Sequence, residues 1–174
     1  MNDSGQDFEE RLERLLSGGR AARDGWASPE SRRLLLTIHE RLAALARDYF
    51  GGGFQGRLIA RCGMDATGGA FALVAGWQGA AFLGVDADSE TIKRHIRTGF
   101  CDYLVTDLHE ALRILRSAVH ARKPVSVALA ADPAATLAGL ARLGVVPDLL
   151  MDPSASSAAA LGELKRLGST ILDE

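Results

Sequence analysis

From Arg57 onward the chain alternates short apolar runs with helical stretches, and this alternation restricts its fold more than any other feature. The runs cover residues 58–62, 80–85, 103–105, 125–130, 149–151 and 170–172. Helical patterns fall between them, near 68–78, 89–98, 108–121, 133–143 and 157–167. In the third stretch Leu108, Leu112, Leu115 and Val119 line up behind Asp107, a residue suited to the N-cap. The fourth opens on Asp132-Pro133 and closes at Gly144, an N-cap pair and a C′ glycine in the expected places. Strictly alternating β and α units predict a parallel sheet with helices on both faces, because each crossover must return right-handedly. The fold class expected is therefore α/β, a doubly wound, Rossmann-like parallel sheet.

Two helices precede this region. Phe8, Leu12, Leu15 and Leu16 repeat at helical spacing until Ser17-Gly18-Gly19, and a linker through Trp26 follows. Ser28-Pro29 then opens a second helix with Leu35, Ile38, Leu42, Leu45 and Tyr49 on one face, stopped by Gly51-Gly52-Gly53. The expected division is an N-terminal helical appendage over residues 1–55 and a Rossmann-like domain over 56–174. A length of 174 residues suits one well-cored domain and is short for two.

Charge narrows the partners. A net charge of −2 and a pI near 6.1 leave no basic footprint for nucleic acid. Arg11, Arg14, Arg20, Arg23, Arg32 and Arg33 are interleaved with acids and are expected on a solvated helix face. Cys62 and Cys101 form no CxxC pair, so reduced thiols and a cytoplasmic setting are the expectation. No apolar run approaches a membrane span.

The first strand runs into Gly63-Met64-Asp65-Ala66-Thr67-Gly68-Gly69-Ala70. A glycine turn at this place lets backbone N–H groups and a helix N-terminus meet a pyrophosphate. Asp86 closes the second strand some twenty residues later, where an acid takes ribose hydroxyls. The turn is neither a GxGxxG fingerprint nor a P-loop. Taken alone, its glycines are equally consistent with a tight, close-packed turn, and Asp86 with capping the next helix or facing water.

Several segments, in order, resemble the urocanase (urocanate hydratase) family. Ala46-Arg47-Asp48-Tyr49-Phe50-Gly51-Gly52 followed by Gly56-Arg57 is similar to the lead-in of its nucleotide domain, and Gly68-Gly69-Ala70 to the end of its glycine-rich loop. The stretches 97–102, 106–112, 125–129 and 143–148 follow in the family's sequence. The resemblance implies an NAD-binding domain, which in urocanases is inserted into a larger body and presents NAD⁺ as an electrophile to the urocanate imidazole. It implies Ala66, Thr67, Gly68, Asp86, Asp132 and Ser154 as the cofactor-binding positions. The departures are specific. Asp65 and Ala66 stand where the family has glycines, Thr91 replaces an arginine, and Phe71 replaces the glutamine after the loop. Asp86 takes the place of a glutamate, Asp132-Pro133 that of Asn-Ala, and 153–157 that of a QTSAH segment. At a phosphate-binding turn an aspartate at position 65 would repel the pyrophosphate, or would itself occupy the helix N-terminus.

No catalytic residue and no metal site are expected. His39, His95, His109 and His120 lie on helical stretches without metal-ligand spacing and are expected at the surface or at helix ends. Asp148 and Asp152 flank a strand and are expected to cap or face water rather than to pair. Neither cysteine matches the family's cysteine motif, and the urocanate pocket belongs to the family's larger body. Three readings stand open: a dinucleotide-binding domain without complete urocanate hydration of its own, a scaffold or interaction module that lost the cofactor, and one part of a split lyase. The expected partners are a dinucleotide and either a second polypeptide or further copies of the chain.

Overall fold

Six strands form one all-parallel sheet in the order β3-β4-β2-β1-β5-β6. They are β1 (Leu58–Cys62), β2 (Ala81–Asp86), β3 (Tyr103–Val105), β4 (Val125–Ala130), β5 (Leu149–Met151) and β6 (Thr170–Leu172). The structure is a computed structural model and describes residues 3–151 and 158–172. The helices are α1 (Asp3–Leu16), α2 (Gly19–Ala21), α3 (Pro29–Tyr49), α4 (Ala66–Trp77), α5 (Ser89–Thr98), α6 (Leu108–Ala121), α7 (Pro133–Leu143) and α8 (Ala158–Arg166). The Rossmann-like α/β sheet expected from the alternation is what the chain forms. Its order differs from the 3-2-1-4-5-6 arrangement, because β4 inserts between β2 and β3.

The crossovers through α4 and α5 step toward the β3 edge, and the three through α6, α7 and α8 step back the other way. Right-handed connections therefore place the two sets on opposite faces. Burial agrees, since side chains alternate across each strand. Ile59, Phe82, Leu149 and Met151 pack with α1, α3, α4 and Ile92 in one cluster. Leu58, Ala60, Cys62, Leu83, Val85 and Leu150 pack with α6, α7 and Leu164 in the other. All five residues of β1 are buried, as expected of a central strand covered on both faces.

Local chemistry sets the helix ends. Ser28 accepts from Ser31 N at 3.1 Å ahead of Pro29, and Asp107 accepts from Glu110 N at 2.9 Å. Asp132 accepts from Ala135 N at 2.8 Å, and Gly144 ends α7 in the left-handed region at φ 66°. The expected linker before Trp26 is instead helical over most of its length: α2 runs into a wide turn, Ala22–Trp26, kinked at Asp24 and at Gly25 (φ 88°). It is anchored by Trp26, whose ring lies 4.4 Å from that of Phe100. Of the N-terminal arginines, Arg11 pairs with Asp7 at 3.0 Å, and Arg32 with Glu9 and Glu13 across α1 and α3. Exposed pairs of this kind contribute at most about 1 kcal/mol each.

Both thiols are buried. Burial pushes the Cys101 thiol up to about 11, partly opposed by the Ser126 side chain. We expect neither cysteine of the native protein to react with a thiol reagent at neutral pH, and both to react once it is denatured. Prompt labelling of one thiol in the native state would contradict this.

Candidate functional site

The connection after β1 goes to one face of the sheet and the one after the neighbouring β5 goes to the other. In open parallel sheets the ligand crevice lies at the C-terminal strand ends beside such a divergence. A cleft of about 600 Å³ opens there on the α4–α5 side, within the range of small-ligand sites. Its walls are the start of α4, the end of β2, one side of α5, and the kinked turn with the first residues of α3.

The glycine turn is built around its own backbone. Gly63 adopts φ 89° and donates to Val85 O at 2.8 Å, which joins the turn to β2. A Cβ on Gly68 would stand 2.4 Å from the Gly63 carbonyl oxygen, and one on Gly69 would stand 2.2 Å from the His95 ring. A Cβ on Gly84 would stand 2.2 Å from the Met64 sulfur. These glycines accommodate the protein's own atoms, as the close-packed-turn reading holds.

Asp86 sits half-buried at the end of β2. Its Oδ2 accepts from Met64 N at 2.7 Å and its Oδ1 from Asp88 N at 2.8 Å. Each carboxylate oxygen has a second lone pair, so capacity for ligand hydroxyls remains on the cleft side. Capping of the next helix falls to Asp88, not Asp86. The Thr91 hydroxyl, followed by the backbone N–H groups of Glu90 and Thr91, holds Asp88 below the usual carboxylate range. Asp65 is the N-cap of α4, with Oδ1 accepting from Gly68 N at 2.8 Å. Of the two roles foreseen for Asp65, occupancy of the helix N-terminus is the one its geometry adopts.

Ala66 begins α4 and lines the cleft together with Asp86, whereas Thr67 does not reach its wall. Gly68 is buried, with its N–H engaged by Asp65. Asp132 lies beyond β4 at the same sheet edge, where the neighbouring Ala131 N donates to Asp86 O at 3.0 Å. Its own carboxylate caps α7, and it is outside the cleft. Ser154 and Asp152 fall outside the described residues. Asp148 stands at the opposite, N-terminal end of β5, bound to Arg57 Nη1 at 2.9 Å and to Leu58 N at 2.8 Å.

Two residues of the site were not expected from the sequence. Arg61, within β1, is 3% exposed, donates to Gly63 O at 2.6 Å and lies over the Phe71 ring at 5.3 Å. A cation in an otherwise apolar run was the available signal. His95, expected at the surface or a helix end, is in the last turn of α5 but is also 3% exposed. It pairs with Met64 O through Nε2 at 2.8 Å, and as that partner is a carbonyl the nitrogen is the donor. Among the described residues its Nδ1 has no hydrogen-bond partner. The ring packs on the backbone of α4 at Gly69 and supports the glycine turn from beneath.

Electrostatically the cleft is acidic. Asp24, Glu30, Asp65, Asp86 and Asp88 line it against the single guanidinium of Arg94. The residues present therefore fit the ribosyl part of a dinucleotide, through Asp86, and do not fit its diphosphate. Side chains stand at Asp65 and Ala66, a carboxylate holds the helix N-terminus, and the surrounding charge is negative. Among the described residues no cluster of histidine, cysteine, aspartate or glutamate has the arrangement of a metal site, and no helix is long and apolar enough to cross a membrane.

A parallel sheet wrapped on both faces, a glycine turn after β1 and an acid at the end of β2 define a Rossmann-like α/β domain. More particularly, the family model described as the Urocanase Rossmann-like domain matches residues 36–163, and the chain belongs to the urocanase family. Among solved structures, it is similar to a zinc-dependent alcohol dehydrogenase 2 from Streptococcus pneumonia in its apo form. The two share 14% identity at a TM-score of 0.46 over 84% of this chain. The match covers 36% of the dehydrogenase, so the chain spans little more than a third of that protein's length.

Proposed function

We propose that the chain is a nucleotide-binding module of urocanase type that does not hydrate urocanate by itself. The ligand class is a dinucleotide, NAD being the member to which the family points, and its ribose hydroxyls would meet Asp86. The observation that carries this reading is the Asp86 carboxylate, fixed at the end of β2 by Met64 N and Asp88 N and lining the cleft. A fixed acceptor of this kind favours a diol without reorganising. The cofactor-binding set remains Ala66, Thr67, Gly68, Asp86, Asp132 and Ser154, with Ala66 and Asp86 as its cleft-lining members. The division into a helical appendage over 1–55 and a Rossmann-like domain over 56–174 is part of the same proposal.

Hydration requires a substrate held in a near-attack geometry, and no residue of the described cleft provides a cysteine or tyrosine for that task. A second reading, a module that has lost the cofactor, is favoured by one observation, the Asp65 carboxylate on Gly68 N. The test is calorimetry of the pure protein with adenosine and with NAD, beside a urocanate hydration assay against a boiled control. Binding of either ligand without turnover is expected. Turnover by the chain alone would overturn the claim about hydration, and binding of neither ligand would favour the scaffold reading.

A further inference from the structure

The misfit between the cleft and a diphosphate has a direct consequence for the ligand. We propose that the cleft binds a nucleoside in preference to a dinucleotide, and that Asp65 is the specificity-determining residue that weakens its hold on the diphosphate. The inference rests on the reading that Asp86 receives a ribose in this cleft.

A diphosphate at a Rossmann-like turn needs free N–H groups at the start of the first helix, close backbone approach and a positive local field. The first is curtailed here, since Asp65 takes one N–H of the first turn of α4, and the other two are opposed. Gly68 N is engaged by Asp65 at 2.8 Å, Gly63 N by Val85 O at 2.8 Å and Met64 N by Asp86 at 2.7 Å. Asp65 and Ala66 carry side chains at the point of approach, and both are exposed toward it. The Arg61 guanidinium lies 3.6 Å from the Asp65 carboxylate and is buried beneath the turn, with a side-chain exposure of 4%. Its charge is paired with the Asp65 carboxylate and the Gly63 carbonyl.

The remaining walls suit an uncharged nucleoside. Trp26 and Leu34 supply apolar surface for a base, and Asp86 an acceptor for a ribose diol. Asp24 and Glu30 extend the negative field on the side facing α4 and α5. Asp24, Trp26, Glu30 and Leu34 all precede residue 36, where the family match begins, so this acidic wall lies outside the matched segment. It acts in the same direction as Asp65. A carboxylate can exclude a phosphate by charge or by holding the N–H the phosphate needs, and two substitutions separate these. Asp65→Asn removes the charge and keeps a capping oxygen, whereas Asp65→Gly removes both. Glycine is tolerated at an N-cap at a cost of only a few tenths of a kcal/mol relative to aspartate, so both variants are expected to fold.

The experiment is calorimetry of the full chain and of the two variants with adenosine and with ADP-ribose. The parent is expected to bind adenosine and to bind ADP-ribose at least about tenfold more weakly, a difference well resolved as binding free energy. Asp65→Gly is expected to bring ADP-ribose level with adenosine or beyond it, while adenosine affinity stays the same. Relief already in Asp65→Asn assigns the exclusion to charge, and relief only in Asp65→Gly assigns it to the occupied N–H; both support the gate. ADP-ribose binding to the parent as tightly as adenosine overturns the inference and leaves the proposed function standing. So does an unchanged ratio in both variants. If adenosine and ADP-ribose bind neither the parent nor Asp65→Gly, the ribose site itself is refuted, and the inference falls with it.

Discussion

Asp86→Ala is expected to weaken adenosine binding by roughly ten- to a hundred-fold, because charge-assisted hydrogen bonds contribute about 1.5–3 kcal/mol. The same carboxylate holds Met64 N and Asp88 N, so its removal also frees two backbone donors of the turn. Met64 is fully buried, and an unsatisfied buried donor costs about 1–3 kcal/mol, so a lower melting temperature should accompany the loss of affinity. Asp86→Asn separates the two effects. Its single carbonyl oxygen can serve one of the two N–H groups, and its amide presents a donor to the other. Stability should therefore fall for Asn as well, while affinity falls in both variants for want of the charged acceptor. Calorimetry with adenosine and a thermal melt of each variant are the measurements. A folded Asp86→Ala protein that binds adenosine as the parent does would place the ribose elsewhere.

Much of the fold was legible because the signals are local. The strand at 58–62 and the helices at 89–98, 108–121 and 133–143 have the limits read from periodicity, since Asp88, Asp107, Asp132, Gly99 and Gly144 mark their ends by chemistry that acts within one turn. The insertion of β4 between β2 and β3 was not legible. Strand order is decided by which faces cover which across distant segments, and no local pattern encodes it.

The site was legible in part for the same reason. A glycine turn and an acid about twenty residues apart directed attention to this end of the sheet, and both Asp65 and Asp86 line the cleft there. Their partners did not follow. That Asp86 ties the turn to β2 through Met64 N depends on a contact 22 residues away in sequence. The His95 ring lies beneath Gly69 because β2 brings α5 back against α4, so its burial is a tertiary fact. The wall formed by Asp24, Trp26 and Glu30 arises from the kink at Gly25, in a segment whose composition indicates only a linker.

Phe71→Ala is expected to produce the largest loss of stability, about 3–5 kcal/mol, the range for removing a large aromatic side chain from a core. Phe71 is 1% exposed, packs in the cluster that joins α1, α3 and α4 to the sheet, and carries the Arg61 guanidinium over its ring at 5.3 Å. The ring therefore has two roles, filling the space behind the glycine turn and giving Arg61 an attractive face. Phe71→Leu keeps most of the apolar volume and removes the π face, so it isolates the second role. A desolvated cation–π contact contributes about 2 kcal/mol, and Phe71→Leu should lose an amount on that scale, between the parent and the alanine variant. Thermal melts resolve this, since each kcal/mol shifts the midpoint by about 2–4 °C in a chain of this length. Arg61 positions Gly63 O, so both variants should also loosen the turn and weaken adenosine binding in the order of their stability losses. A loss below about 1 kcal/mol for Phe71→Ala would mean that the space behind the turn closes readily, a range seen only where a site collapses onto the deleted atoms.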